Sequence, residues 1–446
     1  MSSLVIRGAH AVTTSGVAVV DIAISDGVIA AVGPNLASAP EEIDGTGLHV
    51  LPGGIDSHVH FNEPGHSDWE TIANGSAALA AGGYSAFVDM PLNSLPVTVD
   101  GSAFDQKLAA AQVSSLLDFG LWGGLIPGNL DRLEELHARG VLGFKAFMCP
   151  SGLDEFPGSD ERTLREGMRR IAALGSILLL HAEDPEIINT LTKKAIAAGR
   201  TGARDFIRSR PATAELEAIT RAISIAGETR CAIHIVHVST ADGINLIREA
   251  QTHGVDVTGE TCPHYLLYTE DDMEQLGGIG KCAPPFRTHE DREELWALLG
   301  KGSLHMVVSD HSPSAPELKE GEDVFKLWGG ISGCQSTRQL LLEGAHRRSI
   351  DVGVIAGATA TNVARRFGLA GKGEIEVGFD ADLWLVDLSH ESVVRRGDLF
   401  YKHPFSAHDG QAIRGRTVRT LVRGRTVFAN GRAIPGAPGR LLRGRD

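Results

Sequence analysis

The sequence lacks most features that mark membrane, secreted or nucleic-acid-binding proteins. Its 446 residues include only five cysteines, and no two of them have CxxC spacing. No apolar run approaches the roughly 18 residues that cross a bilayer, and the N-terminus has no charged start followed by an apolar core. The formal net charge of −14 is opposite in sign to the surface that nucleic acid requires. These absences argue against membrane and nucleic acid as partners and favour a reduced, cytoplasmic setting.

The two ends of the chain are similar in pattern, and both predict short strands. Turn residues such as Asp26-Gly27, Gly424 and Gly431 separate apolar segments. The predicted terminal strands are Leu4–Arg7, Val17–Ser25, Val28–Val32, Ala381–Val386, Thr417–Val422 and Arg425–Phe428. Two strand-rich ends around a different middle predict that residues 1–52 and 373–446 pack together as one small β-sandwich domain.

The middle of the chain, residues 53–372, alternates apolar strands with helix-length segments rich in Ala, Leu, Glu and Arg. The predicted strands are Leu51–His60, Tyr84–Met90, Phe119–Gly123, Gly143–Phe147, Ile177–His181, Ala232–Val238, Asp256–Glu260 and His305–Ser309. This alternation predicts an α/β fold, a (β/α)8 barrel of TIM type. A doubly wound sheet is the alternative, but no glycine-rich phosphate loop follows the first strand. The glycine-rich run Gly368–Gly373 precedes a strand and is interpreted as a turn.

Polar side chains stand at the C-terminal ends of the predicted barrel strands, where barrel enzymes place their chemistry. His58 and His60 end the first strand and point to one face, because strand residues i and i+2 do so. His181, His237 and Asp310 end the fifth, sixth and eighth strands. Each alone is more often structural, since an aspartate after a strand commonly caps a helix. Together they predict a metal site, because imidazole and carboxylate groups bind divalent ions.

Lys145 is the least expected of these residues, since it lies between Phe144 and Phe147 in the fourth strand. Burying an unpaired ammonium group is costly, so a buried lysine needs a partner or a chemical change. Reaction with carbon dioxide would convert Lys145 to a carbamate, N6-carboxylysine. That anion has two oxygens and can bridge two cations. We therefore hypothesise that Lys145 is a carboxylated bridging ligand.

The same segments together resemble the cyclic-amidase branch of the amidohydrolase superfamily, which holds dihydroorotases, hydantoinases (dihydropyrimidinases) and allantoinases. The matching motifs are H-V-H at 58–60, F-K-A-F at 144–147, H-A-E-D at 181–184, H-V-S-T at 237–240 and S-D-H-S-P at 309–313. The resemblance covers nearly the whole chain and implies two divalent metal ions. Zinc is expected first, although cobalt, manganese, iron and nickel suit the same ligands. The implied ligands are His58, His60 and Asp310 for the more buried ion, His181 and His237 for the more exposed ion, and carboxylated Lys145 between them.

The resemblance and metal chemistry imply a mechanism. Two divalent ions lower the pKa of a shared water, so hydroxide is available near neutral pH and attacks a carbonyl polarised by one ion. Asp310 takes the proton and passes it to the departing ring nitrogen. The alternative role for Asp310 is that of a ligand only. A structural zinc site is disfavoured, because such sites are closed four-ligand cages usually built with cysteine.

Residues beside the ligands separate the members of the branch. Dihydroorotases carry the motif H-x-H-x-R-E-P-G after the first strand, and its arginine binds the substrate carboxylate. In this chain the position of that arginine holds Asn62. They also carry M-P-N after the second strand, where this chain has Met90-Pro91-Leu92-Asn93. Losing a bidentate arginine contact should cripple dihydroorotate binding.

Other segments are similar to allantoinases instead. These are F-N-E-P-G at 61–65, D-M-P-L-N-S at 89–94, C-P-H-Y at 262–265, K-C-A-P-P-F-R at 281–287 and W-G-G-I-S-G-C-Q at 328–335. Allantoin is a neutral hydantoin ring with a urea tail, which agrees with the missing arginine. The resemblance implies hydrolysis of that ring to give allantoate in purine catabolism.

Hydantoinases are the closer alternative, because their substrates are also neutral rings. Hydantoinases carry a tyrosine a few residues beyond the bridging lysine, and no tyrosine follows Lys145 in the corresponding segment here. The candidate substrate contacts are Asn62, Asn93, Ser151, Ala283 and Ser332, with the backbone near Ala283 and around Gly329–Ser332 placed to bind the ring amide. The two asparagines are either substrate contacts or turn residues. His264 and His311 lack ligand spacing and are interpreted as structural.

Two non-catalytic classes complete the alternatives. A scaffold protein related to hydantoinases would have lost metal ligands, whereas all six positions are filled here. A metal-storage or sensing protein rarely needs a barrel-buried lysine and an aspartate beside an open coordination position. We therefore expect an enzyme that acts on a small cyclic amide and assembles as a homodimer or homotetramer, as the family commonly does.

Overall fold

The computed structural model describes residues 2–444, and the chain begins with five strands. They are β1 (Leu4–Thr13), β2 (Gly16–Ser25), β3 (Val28–Gly33), β4 (Glu41–Asp44) and β5 (His49–Pro52). β1, β2 and β3 pair as an antiparallel meander. Asp26 and Gly27 connect β2 to β3 with φ of 53° and 81°, the left-handed conformation that such two-residue turns adopt. The hairpin predicted at this dipeptide is therefore present.

The middle of the chain alternates strands with helices. The strands are β6 (Gly54–Val59), β7 (Tyr84–Asp89), β8 (Asp118–Leu121), β9 (Gly123–Gly124), β10 (Phe144–Phe147), β11 (Ile177–His181), β12 (Ala232–Ile235), β13 (Val257–Thr261) and β14 (Met306–Val307). The helices are α1 (Ile72–Ala81), α2 (Gly101–Ser114), α3 (Leu133–Arg139), α4 (Glu161–Ala173), α5 (Pro185–Ala197), α6 (Ala203–Ser209), α7 (Ala212–Thr229), α8 (Ala241–Thr252), α9 (Pro263–Leu267), α10 (Glu270–Leu276), α11 (His289–Gly300), α12 (Thr337–Arg347), α13 (Val352–Ala356) and α14 (Asn362–Arg366). Within residues 2–444, no helix has both the length and the apolarity needed to cross a membrane.

The strands of the middle region form a parallel barrel. β6, β7 and β8 pair in that order, and β9 to β14 pair in chain order. β9 continues β8 past Trp122, and a parallel bridge between Val59 and His311 closes the far edge onto β6. The ring therefore has eight strands when β8 and β9 are counted as one. The predicted (β/α)8 barrel is confirmed.

The apolar sequence of the barrel strands follows from their burial on both faces. Every residue of β7 and β11 is buried, as parallel strands covered by helices require. Short polar side chains fix where the surrounding helices begin: Asp100 accepts from the Ala103 amide at the start of α2, and Thr240 from the Gly243 amide at the start of α8. Strands and helices thus end at defined residues, which holds the strand ends in register.

The C-terminal strands return to the N-terminal ones. They are β15 (Leu383–Val393), β16 (Ala412–Val422), β17 (Arg425–Ala429) and β18 (Arg432–Ala433). One nine-stranded sheet has the order β18-β17-β16-β15-β5-β1-β2-β3, with β4 paired to β1. β5 and β15 join the two ends in antiparallel register, with Val50 opposite Leu385. The termini therefore form one β domain, as predicted, while the division of the chain at residues 52 and 372 remains a proposal.

The predicted eighth barrel strand differs most from the structure. Only Met306 and Val307 pair as β14, although His305–Ser309 was predicted. Beyond Val307 the chain turns across the mouth of the barrel, and His311 pairs with both Val59 and Ile331. The strand is short because its last residues belong to the functional end of the barrel rather than to the sheet.

Candidate metal centre

The six predicted ligands meet in one cavity at the C-terminal ends of the barrel strands. The cavity has a volume of about 520 Å³. Its wall includes His58, His60, Lys145, His181, His237 and Asp310. These residues come from five separate strands or the residues just after them, so the barrel is what brings them together.

His58, His60 and Asp310 form the first half of the centre. The Oδ1 atom of Asp310 lies 3.2 Å from His58 Nε2 and 3.5 Å from His60 Nε2. One ligand atom from each residue lies within 4.8 Å of the others. Asp310 has a φ of 45°, an uncommon left-handed conformation for a residue other than glycine. The next helical segment begins only at Pro316, so Asp310 is not a helix cap.

His181 and His237 form the second half. Their ring centroids are 4.6 Å apart, and the His237 ring is 5.5 Å from that of His58, which connects the two halves. The His181 Nε2 atom lies 2.7 Å from Glu183 Oε2, which leaves Nδ1 as the free nitrogen of that ring. Burial lowers the pKa of both histidines, so both are neutral ligands near pH 7.

Lys145 lies between these groups, with its amine 5.0 Å from the centroid of the Phe147 ring. Its residue is 1% exposed, and within residues 2–444 its Nζ atom makes no hydrogen bond. Burial lowers the pKa of Lys145 to about 7, so much of the amine is uncharged and nucleophilic near neutral pH. The orphaned amine of Lys145 and the surrounding set of imidazole and carboxylate donors fit a pair of divalent ions with a carboxylated lysine between them.

Glu260 was not predicted as a functional residue, yet it supports the first half of the centre. It is fully buried at β13, and its Oε1 atom lies 2.7 Å from His58 Nδ1. Its Oε2 atom lies 3.0 Å from His234 Nε2. Burial raises the pKa of Glu260 to about 8, and the positive charge of an ion bound at His58 would favour the carboxylate form. A carboxylate behind a metal-binding imidazole fixes the ring orientation, here with His58 Nε2 facing Asp310. An acid that ends a buried barrel strand is the signal that could have identified it.

Glu183 and Arg210 support the second half in the same way. Glu183 contacts His181 and forms an ion pair with Arg210, which lines the cavity. Burial raises the pKa of Glu183, but the Arg210 guanidinium and His181 outweigh that effect and lower the pKa to about 2. Glu183 lies within the H-A-E-D motif, whereas nothing in the sequence around Arg210 marked it.

Two other clusters have the composition of a metal site but already hold a cation. Cys149, His181 and Glu183 bring ligand atoms together, and Arg210 is paired with Glu183 there. The second cluster lies at the other end of the barrel, where the Lys372 ammonium group bonds three carboxylates. Its partners are Asp118, Asp380 and Asp382, at 2.6, 2.8 and 2.8 Å. Both clusters are thus internal ion-pair networks.

Asn62 and Asn93, which the sequence predicts to be either substrate contacts or turn residues, both adopt turn conformations. Asn62 has a φ of 59°, is fully buried, and donates to the Pro313 carbonyl at 3.1 Å. Asn93 has a φ of 72°, but it also lines the cavity, and its amide lies 3.5 Å from Ser312 Oγ. Asn62 lies behind the cavity wall and Asn93 forms part of it.

Ser151 and Ala283 line the cavity, and Ser332 does not. The Ser151 hydroxyl donates to the Phe156 carbonyl at 2.6 Å, so it is engaged within its own loop. The Ser332 carbonyl accepts a hydrogen bond of 2.5 Å from Ser406 Oγ. Leu92, Lys281 and Trp328, from the allantoinase-like segments, also line the cavity, as do Phe206 and Phe325, which the sequence did not mark.

The two histidines interpreted as structural are both buried. His311 accepts from the Gly333 amide at 3.1 Å and packs on Tyr401. His264 packs on Tyr265, with ring centroids 4.3 Å apart. Neither lines the cavity.

Known proteins resemble this chain over nearly its whole length. The model of the Amidohydrolase family matches residues 49–427. The chain is 54% identical to the allantoinase of Rubrobacter xylanophilus over 442 residues, which covers 99% of this chain and 97% of that relative. It is 50% identical to the allantoinase of Solibacter usitatus over 444 residues, with the same coverage. Among solved structures, the L-hydantoinase (dihydropyrimidinase) of Arthrobacter aurescens matches with a TM-score of 0.97 at 32% identity, covering 99% of this chain and 100% of that one.

Proposed function

The chain belongs to the amidohydrolase family. We propose that it is a metal-dependent enzyme that hydrolyses the hydantoin ring of allantoin to allantoate. The observation that carries the proposal is the convergence of four histidines, Lys145 and Asp310 in a single cavity. The substrate follows from the relatives: the allantoinases reach 54% identity, whereas the hydantoinases that share the fold reach 32%.

Two divalent ions are the proposed cofactors, with zinc first and cobalt, manganese, iron or nickel as alternatives. His58, His60 and Asp310 would hold one ion, and His181 and His237 the other. Lys145, carboxylated by carbon dioxide, would contribute an oxygen to each. When bound, such a pair supplies an activated water and polarises the scissile carbonyl.

Asp310 is the proposed catalytic residue. Its side chain is 14% exposed and faces the cavity, so it can exchange a proton with a bound molecule. It receives the proton of the attacking water and passes it to the departing ring nitrogen. The left-handed backbone at Asp310 and the two neighbouring imidazoles hold the carboxylate in place for both transfers.

The cavity wall provides the substrate contacts. Gly329 lines the cavity, and within residues 2–444 neither its amide nor its carbonyl has a protein partner. The ring amide of allantoin has one donor and one acceptor that match these two groups. Asn93, Ser151 and Ala283 are proposed as further contacts on the same wall. Asn62 and Ser332 are proposed to act indirectly, by shaping the segments that they bond.

Hydantoinase activity is the second candidate, favoured by the TM-score of 0.97 with an L-hydantoinase. The absence of a tyrosine in the sequence that follows Lys145 weighs against it. Dihydroorotase activity is disfavoured, because the position of the carboxylate-binding arginine holds Asn62, which is neutral and buried. A homodimer or homotetramer and a cytoplasmic location are also proposed, and light scattering and cell fractionation test them.

A turnover assay on allantoin, hydantoin, dihydrouracil and dihydroorotate tests the proposal. The protein is first stripped with a chelator and then reconstituted with metal and bicarbonate. We expect no turnover after stripping, recovery after reconstitution, and the highest kcat/KM for allantoin. A preference for dihydroorotate would contradict the argument from Asn62. Absence of turnover in both states would indicate a scaffold.

A further inference from the structure

Two buried lysines lie against the loop that forms one wall of the cavity. Every residue of this loop, residues 325–330, lines the cavity. Lys281 is 6% exposed and Lys319 is 7% exposed, and within residues 2–444 neither forms an ion pair. Burial lowers the pKa of Lys281 to about 8 and that of Lys319 to about 7. Burial of two amines without a carboxylate is costly, so their partners must compensate for lost hydration.

The partners of both amines are main-chain carbonyls of the loop. The acceptors are Phe325 and Leu327 for Lys281, at 3.3 and 2.5 Å, and Trp328 and Gly330 for Lys319, with 3.1 Å to Trp328. Four of the six loop carbonyls therefore point at a lysine. Apolar side chains of similar size would fill the same space without the desolvation cost. What the lysines add is control over the direction of the peptide groups.

The Lys319 amine and the Lys281 main chain together set the direction of the free groups of Gly329. In a trans peptide the C=O and the following N–H point in opposite directions. The Trp328 carbonyl points at Lys319, so the Gly329 N–H points away from it. The Gly330 N–H donates to the main-chain carbonyl of Lys281 at 2.8 Å, so the Gly329 C=O points away from the Lys281 backbone. Gly329 thus presents a donor and an acceptor from one residue of the cavity wall.

The loop has little freedom to adjust if these bonds are lost. A Cβ atom at Gly330 would lie 2.5 Å from the main-chain oxygen of Ser312, and one at Gly278 would lie 2.1 Å from that of Lys319. Neighbouring backbone therefore approaches the loop and its lysine at both points. Gly329 itself has no such close neighbour, so loss of the lysine bonds would rotate the Trp328–Gly329 peptide and redirect its N–H while the rest of the loop stays in place.

We propose that Lys281 and Lys319 are positioning residues for the ring amide of the substrate. The Lys319 amine directs the Gly329 N–H, and Lys281 holds the loop on both sides of Gly329, through its amine at Leu327 and its main-chain carbonyl at Gly330. The inference rests on the proposed function only in that the substrate is a cyclic amide. The lysines touch no reacting atom and act through the backbone. They determine how well the cavity distinguishes a ring with a free N–H from one without it.

The test uses Lys319→Met and Lys281→Met in the metal-loaded enzyme. The substrates are the cyclic amide that the wild type hydrolyses fastest and its analogue methylated on the ring nitrogen. Loss of both hydrogen bonds to the ring should raise KM about 5- to 150-fold. We expect kcat to change less than about threefold, because the contacts are made in ground state and transition state alike. Metal content should be unchanged, and the preference for the unmethylated ring should shrink.

Two further variants separate positioning from a general packing effect. Lys319→Gln keeps a donor for the carbonyls, so its KM should lie between those of the wild type and Lys319→Met. Lys301→Met, an exposed lysine, should leave both constants unchanged. Lys319 also lines a second cavity of about 320 Å³ beside Phe405, which is the expected entry for added ethylammonium. If Lys319→Met does not fold, recovery of KM in Lys319→Ala with added ethylammonium tests the same point.

The inference is overturned if the folded methionine variants keep the wild-type KM and the wild-type preference for the unmethylated ring. It is also overturned if Lys319→Ala shows no response to ethylammonium. Failure of the proposed function looks different, because allantoin would then be a poor substrate of the wild type itself. In that case the same comparison applies to whichever cyclic amide is turned over, or to hydantoin binding measured by calorimetry.

Discussion

Replacing Glu260 with glutamine should weaken metal binding while leaving the fold intact. The carboxylate is fully buried and contacts His58 Nδ1 at 2.7 Å and His234 Nε2 at 3.0 Å. Glutamine has nearly the same volume, but it has only one acceptor oxygen beside an amide nitrogen that donates. It cannot accept from both histidines. In either orientation of the amide, His58 loses the negatively charged acceptor that holds its Nε2 atom towards Asp310.

The expected magnitude follows from the hydrogen bond that is lost. A hydrogen bond to a charged group contributes about 1.5–3 kcal/mol, and about 1.4 kcal/mol corresponds to a factor of ten in an equilibrium constant. Loss of the carboxylate behind a metal-binding histidine generally costs about 10- to 100-fold in metal affinity. The two arguments agree, and we expect the dissociation constant of the ion held by His58 to rise about 10- to 100-fold.

The measurement is a zinc titration in chelator buffers, with kcat recorded at saturating zinc. Most of the turnover should return at high zinc, because Glu260 positions a ligand and does not contact the substrate. Asp118→Asn is the matched control, since Asp118 is also buried and charged but bonds Lys372 and Arg423 at the opposite end of the barrel. That variant should lower stability and keep zinc affinity. Wild-type zinc affinity in Glu260→Gln would refute the assigned role.

Three further changes test other parts of the site and the fold. Lys145→Ala should abolish nearly all turnover, and acetate should restore part of it by replacing the carbamate; turnover that is unchanged, or that acetate cannot raise, would contradict a bridging role. Asp310→Asn should lower kcat about 10²- to 10⁴-fold at saturating metal, as loss of a general acid–base does, and near-normal kcat would leave Asp310 no catalytic role. Burial lowers the pKa of His408 to about 3 from an ordinary value near 6.5, so below pH 6.5 the unfolded chain binds a proton that the folded chain does not. Stability should therefore fall as pH drops from 6.5 towards 3, by up to about 1.4 kcal/mol per pH unit from this group; His408→Asn should flatten that part of the urea-unfolding profile, and equal slopes would count against the argument.

The barrel and its ligands were predictable because both depend on local pattern. Apolar segments of strand length between helical segments are sufficient for the (β/α)8 order. The ligands lie in those segments or just after them, as His181 does at the end of β11. The resemblance of the motifs to the cyclic-amidase branch then assigns these ligands to one site. The shape of β14 was not predictable, since it ends early through a contact between His311 and Val59, which are far apart in the chain.

The supporting residues were missed because their roles depend on which strands are neighbours. Glu260 acts on His58 across the closed barrel, and Arg210 reaches Glu183 from the segment after α6. No spacing in the sequence connects these pairs. Asn62 illustrates the reverse: its residue type was informative about the substrate class, but only the left-handed backbone shows that it lies in a turn behind the wall.

The pairing of β5 with β15 has a consequence for synthesis on the ribosome. Val50 emerges early in translation, but its partner Leu385 is made only after the whole barrel segment. Until then the nascent chain carries β5 with one edge open, and an open edge is a template for pairing with another chain. The Lys372 cluster likewise stays incomplete until Asp380 and Asp382 are made. A chain released before residue 383 would therefore expose the unpaired edge of β5, so premature termination would favour aggregation. Pairing of β15 with β5 is the step that covers this edge.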